Sequence, residues 1–308
     1  MAFQTQANDS TGFVATGGVQ YLKNKDIQMY SEDLLISKKM IKVDYQFKNL
    51  TAKDITETIL FPLPVVDSFT DSDFADTAQL IKSFKVGVDG KPIQTETHIR
   101  SFMPPLNKDG SINWDAQQID VTTELKACGF SDKELKTPWT HKSQRTVSTE
   151  KFLACKNPKI QSLLKGTTDY DEVTWSSQII YSWKQTFKAN AITRVQHQYS
   201  PLIGGSVAFS ADYEGKDYCM DQSFKAGLKK AQSENVPYSA LGYILTTGAN
   251  WAKPIQNFKL TIERDANELV SFCWKGKVQK FSPTRFQILE KNFIPKQDLK
   301  IIFVKKSK

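Results

Sequence analysis

The chain has 308 residues, 40% of them hydrophobic, enough to bury a large core as one large or two ordinary domains. Its formal charge of +8 comes from 41 Lys plus Arg against 33 Asp plus Glu, but the only arginines are Arg100, Arg145, Arg194, Arg264 and Arg285. Scattered lysine keeps a surface soluble, whereas phosphate reading favours the bidentate guanidinium, so the composition argues against a nucleic-acid partner.

In chain order, Ile41-Lys42-Val43-Asp44-Tyr45-Gln46-Phe47-Lys48 alternates without a break and predicts a half-buried strand. Asn49 to Asp54 carries turn chemistry, and Ile55 to Phe61 is the returning strand, ended by Pro62. Phe84, Val86 and Val88 run into Asp89-Gly90, and Ile93, Thr95, Thr97 and Ile99 run out again, the pattern of a hairpin with a primed turn or a slightly longer loop. From Trp114 to Leu164 alternation gives way to short helical patterns, bracketed by Pro104-Pro105 and Gly166. Trp175 to Phe187 and Thr193 to Tyr199 alternate again around Lys188-Ala189-Asn190, predicting a second long hairpin with an aromatic inner side. Met220, Phe224, Leu228 and Ala231 have helical spacing, so a helix over 220–232 should lie on the sheet. Strands follow at Tyr243 to Thr247, Phe258 to Ile262, Leu269 to Trp274, Phe286 to Leu289 and Leu299 to Val304.

The predicted fold is mainly β: a β-sandwich, two packed β regions, a helical insertion and one helix on the C-terminal sheet. The expected boundaries are an N-terminal β region at 1–100, the insertion at 101–172 and a C-terminal β region at 173–308. No apolar run approaches the roughly 18 residues that span a bilayer, and the longest, Ile59 to Val66, is broken by Pro62 and Pro64.

Asn8-Asp9-Ser10-Thr11, Ser31-Glu32-Asp33-Leu34, Phe61-Pro62-Leu63-Pro64, Tyr199-Ser200-Pro201, Tyr218-Cys219, Thr246-Thr247-Gly248-Ala249-Asn250-Trp251 and Leu269-Val270-Ser271-Phe272-Cys273 carry a resemblance. The chain resembles a family of secreted bacterial proteins that is defined only as a domain of unknown function, with residues 101–172 departing from its pattern. The resemblance implies export, to the periplasm or into the medium, and a leader removed near Ala7, since Met1 to Gln6 holds no charged and no apolar leader segment. Residues 39–100 are also similar to the sandwich domain of the inter-alpha-trypsin-inhibitor heavy chains, which implies a sandwich and no shared activity.

Cys128, Cys155, Cys219 and Cys273 lack the short spacings of a zinc site. In an exported chain they imply two disulfides, of which the local pairings, Cys128 with Cys155 and Cys219 with Cys273, are favoured among three connectivities; four free thiols are the intracellular alternative. No nucleophile elbow, zinc-protease motif, phosphate loop or dinucleotide fingerprint is present, and no cofactor is expected. His98 reads as solvated, His197 as a hydrogen-bonded core histidine, and His141 with Cys128 or Cys155 as a Cys-His pair that a disulfide would abolish. Asp67, Asp71, Asp73 and Asp76 crowd one loop, a calcium candidate lacking the EF-hand glycine and glutamate. Glu32 and Asp33 are binding candidates through their carboxylates, with a structural use, capping backbone groups or pairing with a lysine or Arg194, as the default reading and a paired-carboxylate hydrolase as the alternative. Asn250 and Trp251 are candidates as a polar amide and a large ring at a turn, with Trp251 alternatively a plug in the core. Together these features predict a non-enzymatic exported factor, monomeric or weakly oligomeric, that binds a protein or glycan partner and acts on a host. The alternatives are a hydrolase using acidic residues and a structural envelope protein.

Overall fold

The structure, a computed structural model, describes residues 9–15, 18–67, 77–136, 142–165, 168–169, 172–233 and 235–307. Strands dominate it. An eight-stranded sheet has the order Gln279–Lys280, Arg285–Phe293, Ile255–Glu263, Ile27–Ile36, Ile41–Asn49, Ile192–Tyr199, Lys85–Val88 and Lys91–Pro92, antiparallel except where Ile255–Glu263 runs parallel to Ile27–Ile36. A seven-stranded sheet has the order Ile119–Asp120, Glu96–Met103, Ser176–Phe187, Ile55–Pro62, Ser10–Ala15 and Gly18–Leu22, with Val66–Asp67 also pairing Ser176–Phe187. A four-stranded sheet orders Gly204–Ser206, Tyr238–Tyr243, Leu299–Lys305 and Glu268–Phe272.

The three sheets share one core. Ile41, Val43, Tyr45 and Phe47 face it from the eight-stranded sheet, Ile59, Phe61, Ile179, Tyr181 and Trp183 from the seven-stranded one, and Tyr243, Ile301 and Phe303 from the four-stranded one. The strict alternation of Ile41–Asn49 arises because its other face meets water. Leu299–Lys305 is instead buried on both faces: Ile301 and Phe303 enter the common core, while Ile302 and Val304 meet Phe209, Met220 and Leu228. The helix Gln222–Lys230, its N-terminus capped by the Asp221 side chain on Phe224 N, therefore lies on the C-terminal sheet as the spacing predicts.

The predicted return of the chain after Asn49 and the second predicted hairpin, around Lys188-Ala189-Asn190, turn out to be corners between sheets. Ile41–Asn49 and Ile55–Pro62 lie in different sheets, and so do Ser176–Phe187 and Ile192–Tyr199. The two corners are fastened to each other. Buried Asn49 donates from Nδ2 to Lys53 O at 2.7 Å and to Phe187 O at 2.9 Å, accepts from Thr51 N at 2.9 Å, and gives its own backbone N–H to Ala191 O at 3.1 Å. The Asp89-Gly90 turn does close a hairpin, with φ of 47° and 79° at its two central residues, the backbone a primed turn requires. That hairpin extends only to Lys91–Pro92, and Glu96–Met103 belongs to the other sheet. The strand expected over Tyr243 to Thr247 ends at Tyr243, because Asp298 Oδ1 accepts from both Leu245 N (3.1 Å) and Thr246 N (3.0 Å) and starts the 3-10 turn Thr246–Asn250.

The insertion holds the helices Thr122–Ala127, Asp132–Lys136, Lys142–Ala154 and Pro158–Leu164. Leu125, Phe130, Leu135, Phe152, Ile160 and Trp175 form a core separate from the common one. The Cys128–Cys155 disulfide closes it, and Cys219–Cys273 ties the segment before Gln222–Lys230 to the end of Glu268–Phe272. No helix among the described residues is long and apolar enough to cross a membrane.

Candidate functional site

Outward-facing side chains of five adjacent strands in the eight-stranded sheet line a groove of about 550 Å³. Strand register arranges them in two rows across the sheet. One row runs Leu289, Lys259, Asp33, Asp44, Gln196, and the next, one pleat along, runs Lys291, Asn257, Ser31, Gln46, Arg194. In the first row two carboxylates stand directly opposite each other, an arrangement that repels unless compensated. Lys259 Nζ lies 2.9 Å from Asp33 Oδ2 and Lys42 Nζ 3.0 Å from Asp44 Oδ2, and Gln196 Nε2 also donates to Asp44. The second row carries two cations, two amides and a hydroxyl. Lys291 donates to Asn257 Oδ1, whereas the exposed Arg194 side chain makes no ion pair or hydrogen bond with any described residue.

Beneath this floor lies a closed polar cluster. Asp9 Oδ1 is 2.9 Å from His197 Nε2, both side chains wholly buried, and the imidazole is stacked on Phe61 at 4.7 Å between centroids with Tyr45 and Trp183 at its edges. Burial pushes the Asp9 carboxyl above its ordinary value, opposed by the attraction of His197. The hydroxyls of Tyr45 and Tyr243 are 3.5 Å apart, and burial, then neighbouring phenol and carboxylate charge, drives both phenols well up. Glu32, 1% exposed, belongs to this cluster. Five of the sequence motifs thus meet here: Asp9 from the first, Glu32 from the second, Phe61 from the third, Tyr199 from the fourth, and the turn that carries Trp251. Sealed from solvent, the cluster positions the N-terminal strand and gives no substrate access.

The structure separates the paired candidates. Successive strand residues point to opposite faces, so Asp33 stands in the groove while Glu32 is interior. Trp251 is not a loop-tip platform. It is 5% exposed, packs 4.5 Å from Phe47, and donates from Nε1 to Asp9 O at 2.9 Å, which makes it the plug. Asn250 holds the same N-terminal segment, Nδ2 donating to Ser10 Oγ at 3.2 Å. A small recess of about 200 Å³ borders this turn, lined by Ala249, Pro254 and Ile294 among others. Asp67 pairs in a strand against Ser176, and burial pushes its carboxyl up to about 6. Asp71, Asp73, Asp76 and His141 lie outside the described residues, and no group of three or more His, Cys, Asp or Glu side chains among the described residues could hold a metal ion.

His98 is not solvated as the sequence suggests. It is half-buried, its Nε2 lying 2.7 Å from Ser182 Oγ. A serine-histidine contact invites a nucleophile reading, but Ser182 is 3% exposed. Glu96 approaches the same Nε2, at 4.0 Å, and not the opposite nitrogen that an orienting carboxylate would hold. Sequence reasoning missed Ser31, Gln46, Arg194, Gln196, Asn257 and Lys259 as site residues, because each is simply the polar member of an alternating strand.

The chain belongs to the family described as Domain of unknown function (DUF4424), which matches residues 7–302. No curated protein matches it. Among solved structures it is similar to a Legionella pneumophila protein known as a "putative nutrient binding protein", at 13% identity and a TM-score of 0.45, covering 97% of this chain and 70% of that one. It is also similar to native yeast LTA4 hydrolase, at 10% identity and a TM-score of 0.31, covering 91% of this chain and 29% of that one.

Proposed function

We propose that this chain is an exported binding protein that takes a polar protein or glycan partner in the groove on the eight-stranded sheet. The observation that carries the reading is the groove itself: its volume lies within the range of ligand sites, and its floor is built from five hydrogen-bonded strands, a rigid scaffold that presents side chains without rearrangement. Export is supported by the use of all four cysteines in disulfides, which persist in oxidising compartments. Release to act on a host belongs to the same reading. The hydrolase alternative needs one carboxylate on either side of a scissile bond, whereas Asp33 and Asp44 are neighbours on one sheet face, each held by a lysine.

The test is an array of immobilised glycans and peptides probed with the wild-type chain and with Gln46→Trp, which fills the groove from an outward position. Ligands retained by the wild type and lost by the variant support the reading. Turnover of a retained ligand by the wild type would replace it with the hydrolase.

A further inference from the structure

Resting on that binding reading, we infer that the groove's ligand is a carboxylate-bearing oligosaccharide lying across the strands along the row Lys291, Asn257, Ser31, Gln46, Arg194. Five neighbouring strands at about 4.8 Å spacing make this row about 19 Å long, the scale of a short oligosaccharide. Its middle is an amide, a hydroxyl and an amide, side chains that both donate and accept, as the hydroxyls of a sugar do. Its two ends are cations and it contains no carboxylate. Arg194 presents a guanidinium fork free of described side-chain partners, the geometry that grips a carboxylate in two parallel hydrogen bonds. The acids of the adjoining row, Asp33 and Asp44, are already compensated by Lys259 and Lys42, so they subtract little from its attraction for an anion.

The same face is poorly suited to a peptide. The main-chain groups of Ile255–Glu263, Ile27–Ile36 and Ile41–Asn49 are consumed by sheet ladders on both sides, so no strand can be added across the middle of the groove, and the large exposed apolar side chains of this face, Leu289 and Ile192, stand on its two outermost strands instead of together as one anchor. Two cations about 19 Å apart are also too few to track a nucleic-acid backbone.

The experiment titrates the full chain, with two-dimensional amide NMR and calorimetry, against galacturonate and mannuronate hexamers, maltohexaose and hexaglutamate. The expected result is saturable binding of at least one uronate hexamer, with shifts centred on Ser31, Gln46, Arg194 and Asn257, and about tenfold weaker binding of maltohexaose. Arg194→Gln and Lys291→Gln, both at exposed positions, should each weaken uronate binding about tenfold at an unchanged melting temperature. Failure of both uronates to bind overturns the ligand assignment. So does hexaglutamate binding as tightly as the uronates, or maltohexaose binding that Arg194→Gln leaves intact; either result keeps the groove as a binding site if Gln46→Trp abolishes it. If Gln46→Trp alters the binding of none of these ligands or of any retained on the array, the groove reading itself falls.

Discussion

Trp251 shows how a single ring can be read two ways from sequence and only one way in space. Its indole fills the seam beside Phe47 and Phe187, and its N–H reaches the carbonyl of Asp9, so Trp251→Ala should remove a buried ring and also free the N-terminal strand. We expect a loss of about 3–5 kcal/mol in urea unfolding, with any effect on groove ligands following only from unfolding. An unchanged midpoint would return Trp251 to the surface. Asp67 supplies a pH-dependent counterpart. Burial raises its carboxyl from 3.8 to about 6, so its protonated form is the one the fold favours. That contribution is complete below the unfolded value and fades as pH rises through 6. Asp67→Asn, fixed in the neutral form, should therefore match the wild type at pH 4 and exceed it at pH 7.5 by about 1–2 kcal/mol, a figure discounted because the residue is only half-buried. Equal stabilities at both pH values would show that the carboxyl is not perturbed.

At the scale of the element, alternation reveals which face of a strand is wet but not which strand lies beside it. Ile41–Asn49 was legible because Ile41, Val43, Tyr45 and Phe47 enter the core while Lys42, Asp44, Gln46 and Lys48 do not. The partners of its neighbours were not, since Lys188-Ala189-Asn190 looks the same whether it closes a hairpin or turns a corner between sheets. The groove was illegible for a related reason. Its rows assemble only when residues as far apart as 31, 46, 194, 257 and 291 come into register, and no local motif marks that. Arg194 was the one available signal, a rare arginine on the wet face of an otherwise ordinary strand. Asn49 carries the corners: with its side chain removed, Lys53 O and Phe187 O lose their donor and Thr51 N its acceptor. Asn49→Ala should lower the urea midpoint by the equivalent of about 2–3 kcal/mol without changing the slope, because the lost hydrogen bonds are buried. A change below about 0.5 kcal/mol, the size of an ordinary surface substitution, would mean that the corners hold without it.

For the whole molecule, the question is whether the helical insertion and the β scaffold depend on each other. Phe102 pairs with Ser176, so the chain leaves the seven-stranded sheet and re-enters it at adjacent positions. The helices between have their own apolar core and their own disulfide, and they are tied back to the scaffold by the two-residue pairing of Ile119–Asp120 with Met103 and Phe102, the Arg100–Asp120 ion pair at 2.8 Å, and hydrogen bonds that join Ser101 to Val121 and Thr122, Ser176 to Gln118, and Ser177 Oγ to Leu135 O. Because the exit and entry points are neighbours, replacing residues 104–173 by a short Gly-Ser turn closes a small loop and adds little entropy cost. Met103 and Trp175 would lose their helical cover, so both are changed to Thr in the same variant. We expect a soluble protein that unfolds in one cooperative transition, since none of the residues of the common core lies in the excised segment. The groove lies on the other sheet, so ligand binding there should survive the excision within a factor of about three, less than 1 kcal/mol. Aggregation of the excised chain, or a broad non-cooperative melt, would show that the helices complete the fold instead of being carried by it.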